Sequence, residues 1–131
     1  MSLEQSQIKS LEESLDHQYV ELLEEVREEL MQNGDGQYVE LLGRGGADAE
    51  EEAVRDLLWG LNSTLFDRHI RELHEIEEAR MRMREGDYGY CADCGDEIVF
   101  ERLKARPTAI RCIYCQRQHE RIHSYVATPS L

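Results

Sequence analysis

The sequence predicts a mainly α-helical protein: a long antiparallel helical hairpin, of coiled-coil type, followed by a small cysteine-containing module with a C-terminal helix. Three observations predict it. Two long stretches repeat apolar residues at helical spacing, glycine-containing breaks divide the chain, and four cysteines form two C-x2-C pairs after the second stretch. At 131 residues the chain has room for one domain, or for a compact module with an extension.

In the first stretch Ile8, Leu11, Leu15, Tyr19, Leu22, Val26 and Leu30 recur every three or four residues, and the other faces are mostly Glu. Asn33-Gly34-Asp35-Gly36 predicts its end, and Gly43, Gly45 and Gly46 mark a second break, with room for one short helical turn over 38–42. A second long helix is expected from near Asp48, where Asp48, Glu50, Glu51 and Glu52 suit the positive end of a helix dipole, to Gly86. Its stripe is Val54, Leu58, Leu61, Leu65, His69, Leu73, Ile76 and Met83. Facing the two stripes in an antiparallel hairpin over 1–85, with a tip loop at about 33–48, is the economical way to cover both. A parallel homodimer would crowd like-charged faces, so a monomer is expected.

Beyond Gly86 the helical period is lost. Ile98–Leu103 is expected to supply a short strand or turn, Pro107 breaks any helix, and Ile113–Tyr125 can form a last helix ended by Pro129. Cys91-Ala92-Asp93-Cys94 and Cys112-Ile113-Tyr114-Cys115 stand 17 residues apart, the spacing of a four-cysteine zinc site. Two residues between cysteines let one tight knuckle aim both sulfurs at a single ion, and two knuckles complete a tetrahedron. A closed thiolate shell has no position for water or substrate, so one structural Zn2+ is expected, held by Cys91, Cys94, Cys112 and Cys115. Residues 86–131 therefore read as a C4 zinc-finger module. A redox C-x-x-C pair would need a βαβ context, and the periodicity offers none. Arg102, Lys104, Arg106, Arg111 and Arg117 suit either of two roles, offsetting the doubly negative zinc-tetrathiolate centre or meeting an acidic partner.

Residues 1–85 hold 22 acidic and 9 basic side chains, the whole of the net −13, whereas residues 86–131 balance 6 against 6. Such a chain is repelled by nucleic-acid phosphates, which disfavours direct DNA or RNA binding. No apolar run reaches the roughly 20 residues that cross a bilayer, and Met1-Ser2-Leu3-Glu4-Gln5 has no signal-peptide character, so the expected compartment is the cytoplasm. His119-Glu120-Arg121-Ile122-His123 matches the H-E-x-x-H of metalloproteases, but no third ligand follows and no domain walls a cleft around it, so no enzyme is expected. His17, His69 and His74 read as exposed or interfacial imidazoles.

Gly86-Asp87-Tyr88-Gly89-Tyr90-Cys91-Ala92-Asp93-Cys94-Gly95, with Arg102-Leu103-Lys104-Ala105-Arg106-Pro107-Thr108-Ala109 and the second cysteine pair, closely resembles the DksA/TraR family of C4 zinc-finger proteins. The resemblance extends more weakly through Leu57-Leu58 and Leu65-Phe66-Asp67-Arg68. It implies a hairpin on a zinc globule that enters the secondary channel of bacterial RNA polymerase and alters initiation without base-specific DNA contact. The family's tip pattern D-x-x-D-x-A falls on Asp48-Ala49-Glu50-Glu51-Glu52-Ala53, so the resemblance implies polymerase-contacting roles for Asp48, Glu51 and Ala53. Glu51 stands where the pattern has its second Asp and carries the charge one methylene further out. The alternative is a zinc-stapled interaction module whose acidic hairpin meets another basic protein.

Overall fold

A computed structural model describes residues 3–42, 50–61 and 64–127. The fold is mainly helical: α1 (Gln5–Gln32), a 3-10 segment (Gly36–Leu42), α2 (Glu51–Leu61), a 3-10 turn (Thr64–Phe66), α3 (Asp67–Glu85), α4 (Phe100–Ala105) and α5 (Ile113–Ala127). Glu4 and Gln7 form a reciprocal capping box at the start of α1. At its far end the chain turns through Gly34, whose φ of 81° favours glycine. Gly86, left-handed at φ 83°, ends α3 as expected.

α1 and α3 form the antiparallel hairpin. Asp16 pairs with Arg80 at 2.9 Å near the base, and Glu25 with Arg68 at 3.4 Å towards the other end, so one helix rises as the other descends. The apolar repeat of α1 lies buried along this seam, from Leu11 to Leu30.

The second arm departs from the single helix expected over 48–85. It breaks between Leu61 and Asp67, and α2 doubles back along α3, with Glu51 paired to Arg80 and Arg55 to Glu77. The physical reason lies in length. With Arg80 opposite Asp16 and Arg68 opposite Glu25, an unbroken partner over 48–85 would meet the end of α1 at about Leu61 and overhang it by roughly 20 Å at 1.5 Å per residue. Val54, Leu57, Leu58 and Leu61 would then have no facing helix. Folded back, they join Tyr19, Leu22, Leu23, Val26, Leu30, Leu42, Phe66, Leu73 and Ile76 in one core. In the sequence, Gly60 and the Asn62-Ser63-Thr64 run are poor helix-interior residues, which disfavours an unbroken helix.

The returning 3-10 segment lies against α1, where Arg27 Nη2 donates to the carbonyl of Leu42 at 3.2 Å. A second core joins the hairpin's base to the C-terminal module through Leu11, Leu15, Ala79, Tyr88, Cys91, Ile98, Leu103, Ala109 and Cys115. Among the described residues no helix is long and apolar enough to cross a membrane.

Candidate metal centre

α3 hands the chain to the first knuckle through Arg82, whose Nη2 donates to the Tyr90 carbonyl at 2.7 Å. An isolated antiparallel bridge between Tyr90 and Glu97 closes the loop, and the Cys91 N–H donates to the Asp96 carbonyl at 2.7 Å. Gly95 turns the chain between them at φ 80°, and its N–H donates to the Cys91 carbonyl at 3.0 Å. Instead of the expected strand or turn over Ile98–Leu103, α4 begins at Phe100 and buries Leu103 against α1. Pro107 follows α4, and its carbonyl accepts the Tyr88 hydroxyl at 2.7 Å. Burial without an ionisable neighbour pushes the Tyr88 phenol well above its ordinary range.

The second knuckle opens α5, with Cys112 just before the helix and Cys115 in its first turn, at the positive end of the helix dipole. The Ala92 N–H, which donates to the Ile110 carbonyl at 2.7 Å, ties the knuckles together, as does Arg111 Nε with Asp93 Oδ2 at 3.0 Å. The structure thus brings all four predicted ligands together: the Sγ atoms of Cys91, Cys94, Cys112 and Cys115 lie within 4.8 Å of one another.

The donor set fits zinc. Four sulfurs about 2.3 Å from one tetrahedral ion stand about 3.8 Å apart, and Cys94 Sγ lies 3.9 Å from Cys112 Sγ. The Cys115 N–H lies 3.4 Å from Cys112 Sγ, the N–H to sulfur contact that steadies a thiolate. At Cys91 burial opposes ionisation, but the backbone N–H groups of Cys94, Cys112 and Asp93 outweigh it and set the thiol at about 6. Burial and the neighbouring thiols push Cys115 up. A divalent ion supplies the positive charge that four converging thiolates require.

Within the basic cluster Arg102 and Arg111 are half-buried, and Lys104, Arg106 and Arg117 are exposed. Arg102 Nε donates to the Arg111 carbonyl at 2.9 Å, Arg106 pairs with Glu75 of α3 at 3.3 Å, and Lys104 lies over the Phe100 ring. Of the H-E-x-x-H residues, His119 is half-buried and Glu120 accepts from Gln116 Nε2 at 3.0 Å. Neither joins a metal-ligating cluster among the described residues.

Of the expected tip residues, the two described ones, Glu51 and Ala53, lie elsewhere than at the far end. Glu51 opens α2 beside Arg80, level with Asp16 and Tyr19, roughly 24 Å below the top of α1 at 1.5 Å per residue. Ala53 is exposed two residues further on, and Asp48 lies outside the described residues. Burial first, and then Glu77, raise the Glu51 carboxyl above its ordinary value, against the opposing pull of Arg80. The overhang that folds α2 back depends on where α1 stops, so the tip motif alone does not carry this placement.

A helical hairpin stapled at its base by a C4 zinc centre defines the class of this protein. Residues 86–121 match the model of the prokaryotic dksA/traR C4-type zinc finger. The chain is 36% identical over 75 residues to the RNA polymerase-binding transcription factor DksA of Caulobacter vibrioides, covering 57% of this chain and 53% of that one. It is also 36% identical over 69 residues to the same-named protein of Escherichia coli, covering 53% of this chain and 46% of that one. The matched stretch spans about half the length of these curated relatives. Among solved structures, transcription factor DksA2 from Pseudomonas aeruginosa shares 32% identity over 87% of this chain and 89% of that one, with a TM-score of 0.44. The chain belongs to the DksA/TraR C4-type zinc-finger family.

Proposed function

We propose that the chain is a non-enzymatic, cytoplasmic bacterial transcription regulator that binds RNA polymerase as a monomer, through the secondary channel, and modulates initiation without base-specific DNA contact. The observation that carries this reading is a C4-stapled hairpin that holds the chain's entire acidic excess, in a family whose curated relatives are named for binding RNA polymerase. Such a rod is repelled by DNA phosphates, which leaves a basic protein surface as its natural counterpart.

In this reading Asp48, Glu51 and Ala53 contact the polymerase, and α2 must leave α3 to deliver them. The exchange uncovers the buried Val54 and Leu58, roughly 1.5–3 kcal/mol for each side chain, which contacts with the partner have to offset. Glu51 sits in a half-buried ion pair whose desolvation offsets much of its attraction, and the positive channel of a partner would compensate the charge it releases.

Co-purification with core RNA polymerase and transcription in vitro from a ribosomal-RNA-type promoter test the proposal. The wild type is expected to bind and to change transcript yield. Asp48→Asn/Glu51→Gln is expected to bind and to lose the effect. Absence of both binding and effect in the wild type overturns the polymerase reading, whereas a fully active double variant overturns only the tip assignment.

A further inference from the structure

Near the upper end of the hairpin, well away from the cysteines, His69 projects from α3 into the seam with α1 and is completely buried. Carboxylates surround its ring. Glu25 Oε2 lies 3.7 Å from Nδ1, and Glu29 Oε1 lies 3.0 Å from Nε2, yet neither ring nitrogen has an aligned hydrogen-bond partner. Glu29 Oε2 is likewise buried without a partner. An imidazole withdrawn from water with both nitrogens unsatisfied is costly, so this arrangement calls for something that satisfies it.

We infer that Glu25, His69 and Glu72 form a second metal site, which takes a first-row divalent cation such as Zn2+. One ligand atom from each of the three lies within 4.8 Å of the others. The spacing favours a metal over a shared proton. Two atoms each about 2.1 Å from one ion stand about 3.4 Å apart at the tetrahedral angle and further as it opens, and the 3.7 Å between Nδ1 and Glu25 matches that better than a hydrogen bond. With the ring proton on Nε2, facing Glu29, the lone pair of Nδ1 faces a carboxylate oxygen, and the two repel unless a cation lies between them.

Glu29 completes the design from the other side. A metal-bound imidazole ordinarily presents its second ring nitrogen to a carboxylate, which fixes the ring and raises its basicity. Glu29 is placed for that at Nε2, and a small rotation aligns the bond. Glu25 and Glu72 come from opposite helices and are partly solvent-exposed, so their carboxylates have freedom to close on the ion. Arg68, which holds Glu25 Oε2 at 3.4 Å, is exposed and competes with the metal for that oxygen. An ion here bolts α1 to α3 close to the turn that leads back into α2.

The test uses the full chain with one zinc already on the thiolates, titrated with Zn2+ by calorimetry and checked by metal analysis after desalting. The wild type is expected to take a second equivalent. The double variant Glu25→Gln/Glu72→Gln, altered only at partly exposed positions, is expected to bind that equivalent at least tenfold more weakly and to keep the first. Arg68→Ala is expected to tighten it. A wild type that saturates at one zinc overturns the inference, as does a double variant whose second-site affinity changes less than tenfold. His69→Asn is a supporting variant only, since its burial makes a folding defect the simpler outcome.

Discussion

Glu51, in the first turn of α2, and Arg80, in the lower half of α3, form an ion pair that fastens the folded-back arm to the hairpin. The same guanidinium holds Asp16 of α1 at 2.9 Å and lies over the Tyr19 ring, so one side chain links all three helices.

Arg80→Ala should therefore loosen α2 more than a surface ion pair would suggest. It strands the half-buried Glu51 carboxylate, at an expected cost of about 1–3 kcal/mol. Trp59, the chain's one tryptophan, stands exposed on α2 and serves as the reporter. Faster hydrogen exchange across 51–61 with altered Trp59 anisotropy is expected, and unchanged exchange there would show that Arg80 does not hold the arm.

Glu51→Gln should have the opposite character. The folded-state carboxyl is raised, mainly by burial, so its proton favours the docked arm below the unfolded value, and that contribution is lost as pH rises through the folded value. Replacing it with a neutral isostere is expected to leave α2 docked and to remove that pH dependence. Exchange protection of 51–61, followed from mildly acidic to neutral pH in both proteins, measures it. A variant with looser α2 at every pH would contradict the sign.

Leu58→Ala tests whether α2 is part of the upper core. Leu58 is fully buried there, and truncation should cost about 2–5 kcal/mol in urea unfolding. A loss below about 0.5 kcal/mol would be the behaviour of an exposed site.

Tyr19 supplies an alkaline signature. Burial, reinforced by Glu51, pushes its phenol up to about 12. Because the unfolded phenol ionises near its ordinary value of 10, stability falls as pH rises from there towards 12. Tyr19→Phe should delete one late phenolate transition from the ultraviolet titration and flatten that decline.

Replacing Cys94 or Cys112 with Ser should release the thiolate-bound zinc and lower the melting temperature sharply, because Cys91 and Cys115 also belong to the lower core. His119→Ala should leave the metal content unchanged. Atomic emission and circular dichroism on the same samples check both statements.

The zinc centre was readable because its information is local: two knuckles at fixed spacing identify the ligands without any knowledge of the fold. The extent of α1 was readable for the same reason, from the period of Leu11 to Leu30 and the turn at Asn33-Gly34. The second arm was not. An apolar stripe reports which face is buried and not against what, so Val54 and Leu58 continue the stripe of Leu73 and Ile76 whether the helix is straight or doubled back. Only the length of α1 decides between them, and Gly60 with Asn62-Ser63-Thr64 was the local clue. His69 was hidden in the same way. Its place in an apolar stripe signalled burial, but two of the carboxylates around it, Glu25 and Glu29, come from α1, and their alignment with α3 becomes visible only in the packed hairpin.

The lower core joins Leu11 and Leu15, near one end of the chain, to Leu103 and Cys115, near the other. On the ribosome, α1 therefore emerges long before the residues that cover its lower stripe. Until the second cysteine pair has left the exit tunnel and captured its metal, that stripe is open to chaperones and proteases. A zinc shortage is therefore expected to appear first as lost protein abundance rather than as inactive protein.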